Sequence, residues 1–252
     1  MLGLHTSQGS MPDTRKHRGL HPHDPVAFCP AARPSLCAAT EELSWLLGRG
    51  YAPLSSLKLV GDRHALSGRQ RAAVSRCACA PERARLRQAR MVTPDAVRDR
   101  PLWVDGFNIL TTLEVALSGG IVLVGRDGAA RDIAGVHGSY RRVEETVPAL
   151  TILADVVREL GAASCLLLLD RPVSNSGRLA ALINEHARRG GWPLAAEVVA
   201  DPDPVLSRCN DIVASADGDI LDRCTAWLNL AYMSIDRRVP TANLVDLSHE
   251  RP

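Results

Sequence analysis

Lysine is almost missing from this chain. Lys16 and Lys58 are the only two in 252 residues, so arginine carries nearly all the positive charge. No apolar run approaches the roughly 18 residues that a membrane span needs, and the first 30 residues contain no apolar signal core, so a soluble, cytoplasmic protein without membrane partners is expected. No Cys-x-x-Cys pair occurs among the seven cysteines, and Cys77-Ala78-Cys79 is too tight for a zinc knuckle. The cysteines therefore read as reduced thiols, most of them buried as small hydrophobes. The Gly-Lys-Ser/Thr ending of a P-loop is absent. Internal repeats and low-complexity tracts are absent too.

What remains is ordinary in bulk: 46% hydrophobic and 23% charged residues, enough for one large domain or two small ones. The charge is unevenly spread. Residues 1–100 hold 16 Lys and Arg against 8 Asp and Glu, while residues 101–252 hold 14 against 20. A basic half joined to an acidic half suggests one surface that meets an anion and another that holds cations.

Residues 1–35 are rich in His, Pro, Gly and Ser and read as a loose N-terminal arm, with Met11 as an alternative start. Residues 36–92 read as a small all-α, helix-turn-helix-like domain. Ser67 and Gln70 have capping-box spacing, Pro81 suits a first helical turn, and Arg69, Arg71 and Arg76 lie close in sequence. That segment reads either as simple packing with a solvated basic face or as a nucleic-acid contact. Residues 93–101 read as a linker and 237–252 as a tail.

Between them, residues 102–236 alternate strands and helices. "LWVDGFNIL" reads as a strand, "GGIVLVGRDGAARDIAG" as a hairpin, and "VEETVPALTILADVVRELG" as an amphipathic helix stopped by Gly161. "SCLLLLDRP" is the continuous apolar strand of a parallel sheet covered on both faces. "DPVLSRC" reads as a short helix capped by Asp203, and "DILDRCTAWLNLAYMSI" as a final long helix. The expected fold is a three-layer α/β/α, Rossmann-like domain with a mainly parallel sheet.

Three apolar strands end in aspartate, at Asp105, Asp170 and Asp217. In open parallel sheets ligands bind at the carboxyl ends of the strands. If the strands are neighbours the carboxylates converge, repel, and call for a hard divalent cation, Mg²⁺ or Mn²⁺. Asp222 would add to the shell, and Asn108 would hold water or a phosphate oxygen. The other reading is that these aspartates are helix caps and turn formers. Arg171, Ser174, Asn175 and Arg178 surround a strand-to-helix turn suited to phosphate, or merely cap the helix. His137 and Arg141 stand at the mouth of another helix. His137 reads as a phosphate contact or acid, or as structural.

"WVDGFNIL" with "IVASADGDIL" resembles the signature of PIN-like nucleases, in particular their NYN branch, at Asp105, Asn108 and Asp217. The span from about 17 to 235 is also similar to an uncharacterised prokaryotic family, domain of unknown function 434 (DUF434). The matching phrases include "KLVGDRHALSGRQR", "DIAGVHGSYRRVEET" and "LDRPVSNSGRL". The PIN-like resemblance implies a metal-dependent endonuclease, with RNA favoured over DNA. The sequence departs from that pattern in two ways. The acidic residue usually found before the late strand has only Asp203 and Asp211 as candidates, and the hairpin at 120–135 is not typical. Three rival readings stand beside it. One is a non-catalytic nucleic-acid-binding protein. A second is a structural or scaffold protein whose acidic cluster is paired with arginines. The third is a magnesium-dependent phosphatase of the haloacid dehalogenase type, against which stand Phe107, where a second aspartate is needed, and the lack of any lysine after Lys58.

Overall fold

The structure is a computed structural model that describes residues 17–133 and 138–248. The basic half folds as helices: α1 (Asp24–Ala27), α2 (Arg33–Gly48), α3 (Pro53–Arg63), α4 (Gly68–Cys77) and α5 (Pro81–Arg90). Local chemistry sets their starts. Pro53 and Pro81 occupy first-turn positions. At α4, Ser67 Oγ accepts from the Gln70 N–H at 3.3 Å, and Gln70 Oε1 accepts from the Ser67 N–H at 2.9 Å. Part of the segment read as a loose arm is held firmly. Asp24 is buried, and its carboxylate receives two hydrogen bonds from the Arg69 guanidinium, one of them 2.8 Å long.

The rest of the chain runs β1 (Pro101–Asp105), α6 (Gly106–Leu117), β2 (Ile121–Val124), β3 (Ala130–Asp132), α7 (Thr146–Leu160), β4 (Ser164–Asp170), α8 (Ser176–Gly190) and β5 (Leu194–Val199). It continues through α9 (Pro202–Ser207), β6 (Ile212–Ala214), α10 (Gly218–Leu221), β7 (Ala226–Trp227), α11 (Leu230–Arg238) and β8 (Asn243–Asp246). Five strands form one parallel sheet in the order β5-β4-β1-β6-β7. The alternation of β4 explains its unbroken apolar run. Leu167 and Leu169 join the core shared with α6, α7, α8 and α11. Leu166 and Leu168 face the other side, packing with α9, α10 and Trp227. Each fully buried leucine is worth roughly 1.5–3 kcal/mol.

A second, small sheet orders β3-β2-β8, with β2 antiparallel to β3 and parallel to β8. The expected hairpin is therefore present, and β8 comes from the segment read as a tail. Ile121, Leu123, Ile133 and Val245 share one core with α1 to α4. The helical half is thus packed onto the α/β half through this sheet.

Three expectations change. "LWVDGFNIL" is a strand only as far as Asp105, and the helix α6 begins at Gly106. Most of α6 is buried, so it lacks the polar stripe that marks a surface helix. Gly106 permits the tight turn: a Cβ there would meet the Leu168 carbonyl oxygen at 2.8 Å. The single final helix is broken into α10, β7 and α11, because Trp227 is buried in a strand beside β6 and its indole N–H donates to the Arg87 carbonyl at 2.6 Å. The cap of α9 is Asp201, which accepts from the Asp203 N–H at 3.0 Å.

Candidate functional site

Strand order selects one place. The chain leaves β1 for β4 and β5 on one side, then returns to β6 and β7 on the other, so β1 is the point at which the winding reverses. The turns after β1, β4 and β6 carry Asp105, Asp170 and Asp217. The turn after β5 adds Asp201 and Asp203.

Asp105 is 8% exposed. One carboxylate oxygen receives the Ser215 hydroxyl at 2.8 Å, and the other receives the Asn108 N–H at 3.4 Å. Ser215 Oγ also accepts from the Asp217 N–H at 3.0 Å, and Asn108 Oδ1 accepts from the Ala216 N–H at 3.0 Å. These bonds lace the β1–α6 turn to the β6–α10 turn. Burial pushes the Asp105 carboxyl up to about 7 despite the two donors, and the charges of Asp217 and Asp170 add to the rise. Asp203 is pushed up to about 6, first by partial burial and then by Asp217, Asp201, Asp170 and Asp219. Asp170 is also raised, by burial and then by Asp201. Asp217 caps α10, accepting from the Asp219 N–H at 2.8 Å. Asp105 and Asp217 are thus helix caps, Asp170 is not, and the charges of Asp170 and Asp217 are felt at Asp105. None of them forms an ion pair with a described Arg or Lys.

Asp222 stands elsewhere. Its carboxylate receives Arg87 Nε and Arg83 Nη1, each at 2.7 Å, so it is occupied by guanidinium groups rather than turned to the cluster. Arg87 goes on to Asp127 at 2.8 Å, and Arg131 grips the same Asp127 at 2.6 and 2.7 Å. Asp127 is fully buried, and its carboxyl lies at about 2, lowered by Arg131 and Arg87 against the cost of burial. Sequence reading passed over this network. Its partners come from α5, the hairpin and α10, and only the Arg131–Asp127 spacing of four was visible.

The phosphate candidates divide. Arg141, Asn175 and Arg178 meet at one cavity of about 360 Å³, joined by Arg142, which the sequence did not single out for this role. Asn175 sits at φ 72 and ties the two walls together, its side-chain amide donating to the Tyr140 carbonyl at 2.9 Å. Ser174 serves the backbone: it pairs with Ser139 in an isolated β-bridge. Arg171 is exposed beyond β4 and does not line the cavity. His137 lies outside the described residues. In the helical half, Arg69 binds Asp24, and Arg71 binds Asp62 at 2.8 Å, so two of the three clustered arginines are committed internally.

The molecule is thus a parallel α/β domain with acidic strand ends, carrying a helical bundle at its amino-terminal side. Among the described residues no helix is long and apolar enough to cross a membrane. The family profile described as Domain of unknown function (DUF5616) matches residues 94–233, more than half of the chain, and the chain belongs to that family. The profile of Protein of unknown function (DUF434) matches residues 35–90. The likeness to DUF434 thus lies in the helical half, and the α/β half carries a family of its own. An uncharacterized protein of Methanocaldococcus jannaschii is 26% identical over 189 residues, covering 74% of this chain and 89% of that protein. No solved structure matches.

Proposed function

We propose that the protein is a divalent-cation-dependent nuclease of PIN-like type, acting on RNA. The observation that carries this reading is the placement of Asp105, Asp170, Asp203 and Asp217 at the carboxyl ends of the sheet, around the strand where the winding reverses, with no ion pair to an arginine or lysine among the described residues. Among the described residues, Asp24, Glu114, Asp127 and Asp222 each receive a guanidinium, while the buried Asp132 receives the Thr111 hydroxyl.

The donor chemistry fits Mg²⁺ or Mn²⁺, which prefer hard carboxylate oxygens. The arrangement is less complete than the chemistry: among the described residues no three His, Cys, Asp or Glu side chains form a group that could hold a metal ion. On this reading Asp105, Asp170 and Asp217 would have to draw closer together to hold the cation. Such a cation neutralises developing phosphoryl charge and lowers the pKa of bound water. The chain's own residues position the parts. Ser215 and the Asn108 backbone fix the Asp105 carboxylate, the Asn108 side chain locks the two turns together, and Arg141, Arg142 and Arg178 offer guanidiniums to the phosphate backbone.

The test is cleavage of labelled single-stranded RNA, structured RNA and DNA in Mn²⁺, Mg²⁺ or EDTA, with Asp105→Asn beside wild type. Metal-dependent cutting should fall at least about 100-fold in the variant, beyond the loss typical of a residue that only supports a ligand. Mn²⁺ should also raise the wild-type melting temperature by mass action. A second reading, a nucleic-acid-binding domain without hydrolysis, is favoured by the capping duties of Asp105 and Asp217. It predicts retention of RNA with no cutting and no metal effect on melting.

A further inference from the structure

The arginine cavity has features that a groove for a continuous strand does not need. Three exposed arginines, Arg141, Arg142 and Arg178, line one half-open cavity of about 360 Å³, within the usual range of small-ligand pockets, about 300–1,000 Å³. None of the three is ion-paired to a described residue. Arg178 makes only a long 3.4 Å contact to the Asn175 side-chain oxygen. Leu179 and Leu182 supply an apolar wall, and the buried Tyr140 closes one side.

The walls are prebuilt. Tyr140 N donates to the Ser174 carbonyl and Ser174 N to the Gly138 carbonyl, both at 3.1 Å. Behind them, Glu114 is fully buried, accepting from Thr146 Oγ1 at 2.6 Å, from the Tyr140 hydroxyl, and from Arg18 Nε at 2.5 Å. Arg18 also donates to the Arg141 carbonyl at 3.1 Å, which fixes the backbone from which Arg141 projects. The buried scaffold thus spends its own cation, Arg18, on Glu114, and leaves the three pocket arginines uncompensated.

An internal phosphodiester carries one charge and has chain on both sides, so a row of arginines along an open groove suits it. A terminal phosphomonoester carries about −1.5 to −2 at neutral pH, exposes three acceptor oxygens, and has chain on one side only. Three arginines around one half-open cavity match the second ligand in charge, since arginine binds phosphate through paired N–H donors. We propose that this cavity binds the terminal phosphomonoester of a nucleic-acid strand, with Leu179 and Leu182 against the terminal nucleoside. The assignment of the strand as nucleic acid rests on the nuclease reading above. The phosphate recognition rests on the pocket itself.

The experiment is binding in EDTA, followed by fluorescence anisotropy, of one internally labelled RNA. It is prepared with a 5′-phosphate, with a 3′-phosphate, with hydroxyls at both ends, or as a circle. One phosphorylated form should bind at least tenfold tighter than the hydroxyl and circular forms, and which one it is identifies the strand end. Arg142→Gln and Arg178→Gln should each weaken binding of the preferred phosphorylated form by a larger factor than binding of the circle, erasing the preference, with unaltered thermal melting as the folding control. Equal affinity for all four forms, or no binding to any, overturns the proposal. An end preference with no metal-dependent cutting keeps the pocket and overturns the nuclease reading. Cutting without an end preference does the reverse.

Discussion

Two sets of buried or half-buried carboxylates occupy this molecule, and they are treated in opposite ways. Asp24, Glu114, Asp127 and Asp222 each meet an arginine: Arg69, Arg18, Arg87 with Arg131, and Arg83 with Arg87. Asp105, Asp170 and Asp203 have no such partner among the described residues, and burial, followed by the charges of neighbouring aspartates, raises all three. Asp127 is held at about 2, while Asp105 is pushed to about 7 and Asp203 to about 6; burial raises Glu114 as well, against its Arg18 partner. A chain with so many arginines has the means to neutralise a strand-end aspartate. Leaving the set at the switch point unneutralised costs stability, and such costs concentrate at functional sites.

The sharpest way to break this contrast is to remove one carboxylate of each kind. Asp127→Ala would leave Arg87 and Arg131 buried without their shared anion. Breaking a buried pair in that way costs about 3–5 kcal/mol. Asp105→Asn removes a charge that the fold disfavours and keeps a group able to accept from Ser215, so its cost should stay within about 1 kcal/mol. Urea unfolding of both variants near pH 7.5 reads the difference. If Asp127→Ala proved as mild as Asp105→Asn, the division into paired and unpaired carboxylates would have no energetic meaning.

Much of this arrangement was legible in the sequence, and the missing parts share a cause. The unbroken apolar run of β4, the capping box at Ser67 and the helix stop at Gly161 are local signals, and each appears as read. Asp105, Asp170 and Asp217 were visible because an acid closing an apolar run stands out in one dimension. Partnership was not visible. Arg87 and Asp127 lie 40 residues apart, and Arg87 and Asp222 lie 135 apart. The uneven charge of the two halves was the trace of these pairs. Arg18, Arg83 and Arg87 of the basic half neutralise Glu114, Asp127 and Asp222 of the acidic half. Asp222 was placed at the site because residues 219–235 were read as one helix. Burial of Trp227 in a strand overrides that periodicity. The four residues of β8 were too few to separate from a tail.

A smaller effect, and one that sharpens the contrast, is the sign of the pH dependence. Asp105 ordinarily titrates near 3.8 and stands near 7 in the fold, so between those values the folded chain binds the extra proton. Its contribution to stability is therefore present at low pH and declines as pH rises from about 4 to 7. Asp203 acts in the same direction up to about 6. Asp127 works the other way: its contribution is present above 3.8 and is lost as pH falls toward 2. Urea midpoints measured from about pH 2 to 8 should show Asp105→Asn flattening the fall between about pH 4 and 7. Asp127→Asn should flatten only the acid limb. A single variant that changed both limbs would show that the two sets are coupled.

The smallest expected effect lies within the paired set. Asp222 receives two arginines at the same 2.7 Å distance, but their surroundings differ. The Arg83 side chain is 60% exposed, so water already solvates it and screens its attraction to Asp222. Arg87 is 7% exposed and also holds Asp127, so its removal would take a buried donor from two carboxylates at once, leaving Asp127 to Arg131 and Asp222 to Arg83. Arg83→Ala should therefore cost less than about 1 kcal/mol, and less still in 1 M salt. Arg87→Ala should cost several times more, with little dependence on salt. Equal costs in low-salt urea unfolding would mean that distance to the carboxylate, rather than burial of the guanidinium, sets the strength of these pairs. The contrast between neutralised and unneutralised aspartates would then have to be explained by position alone.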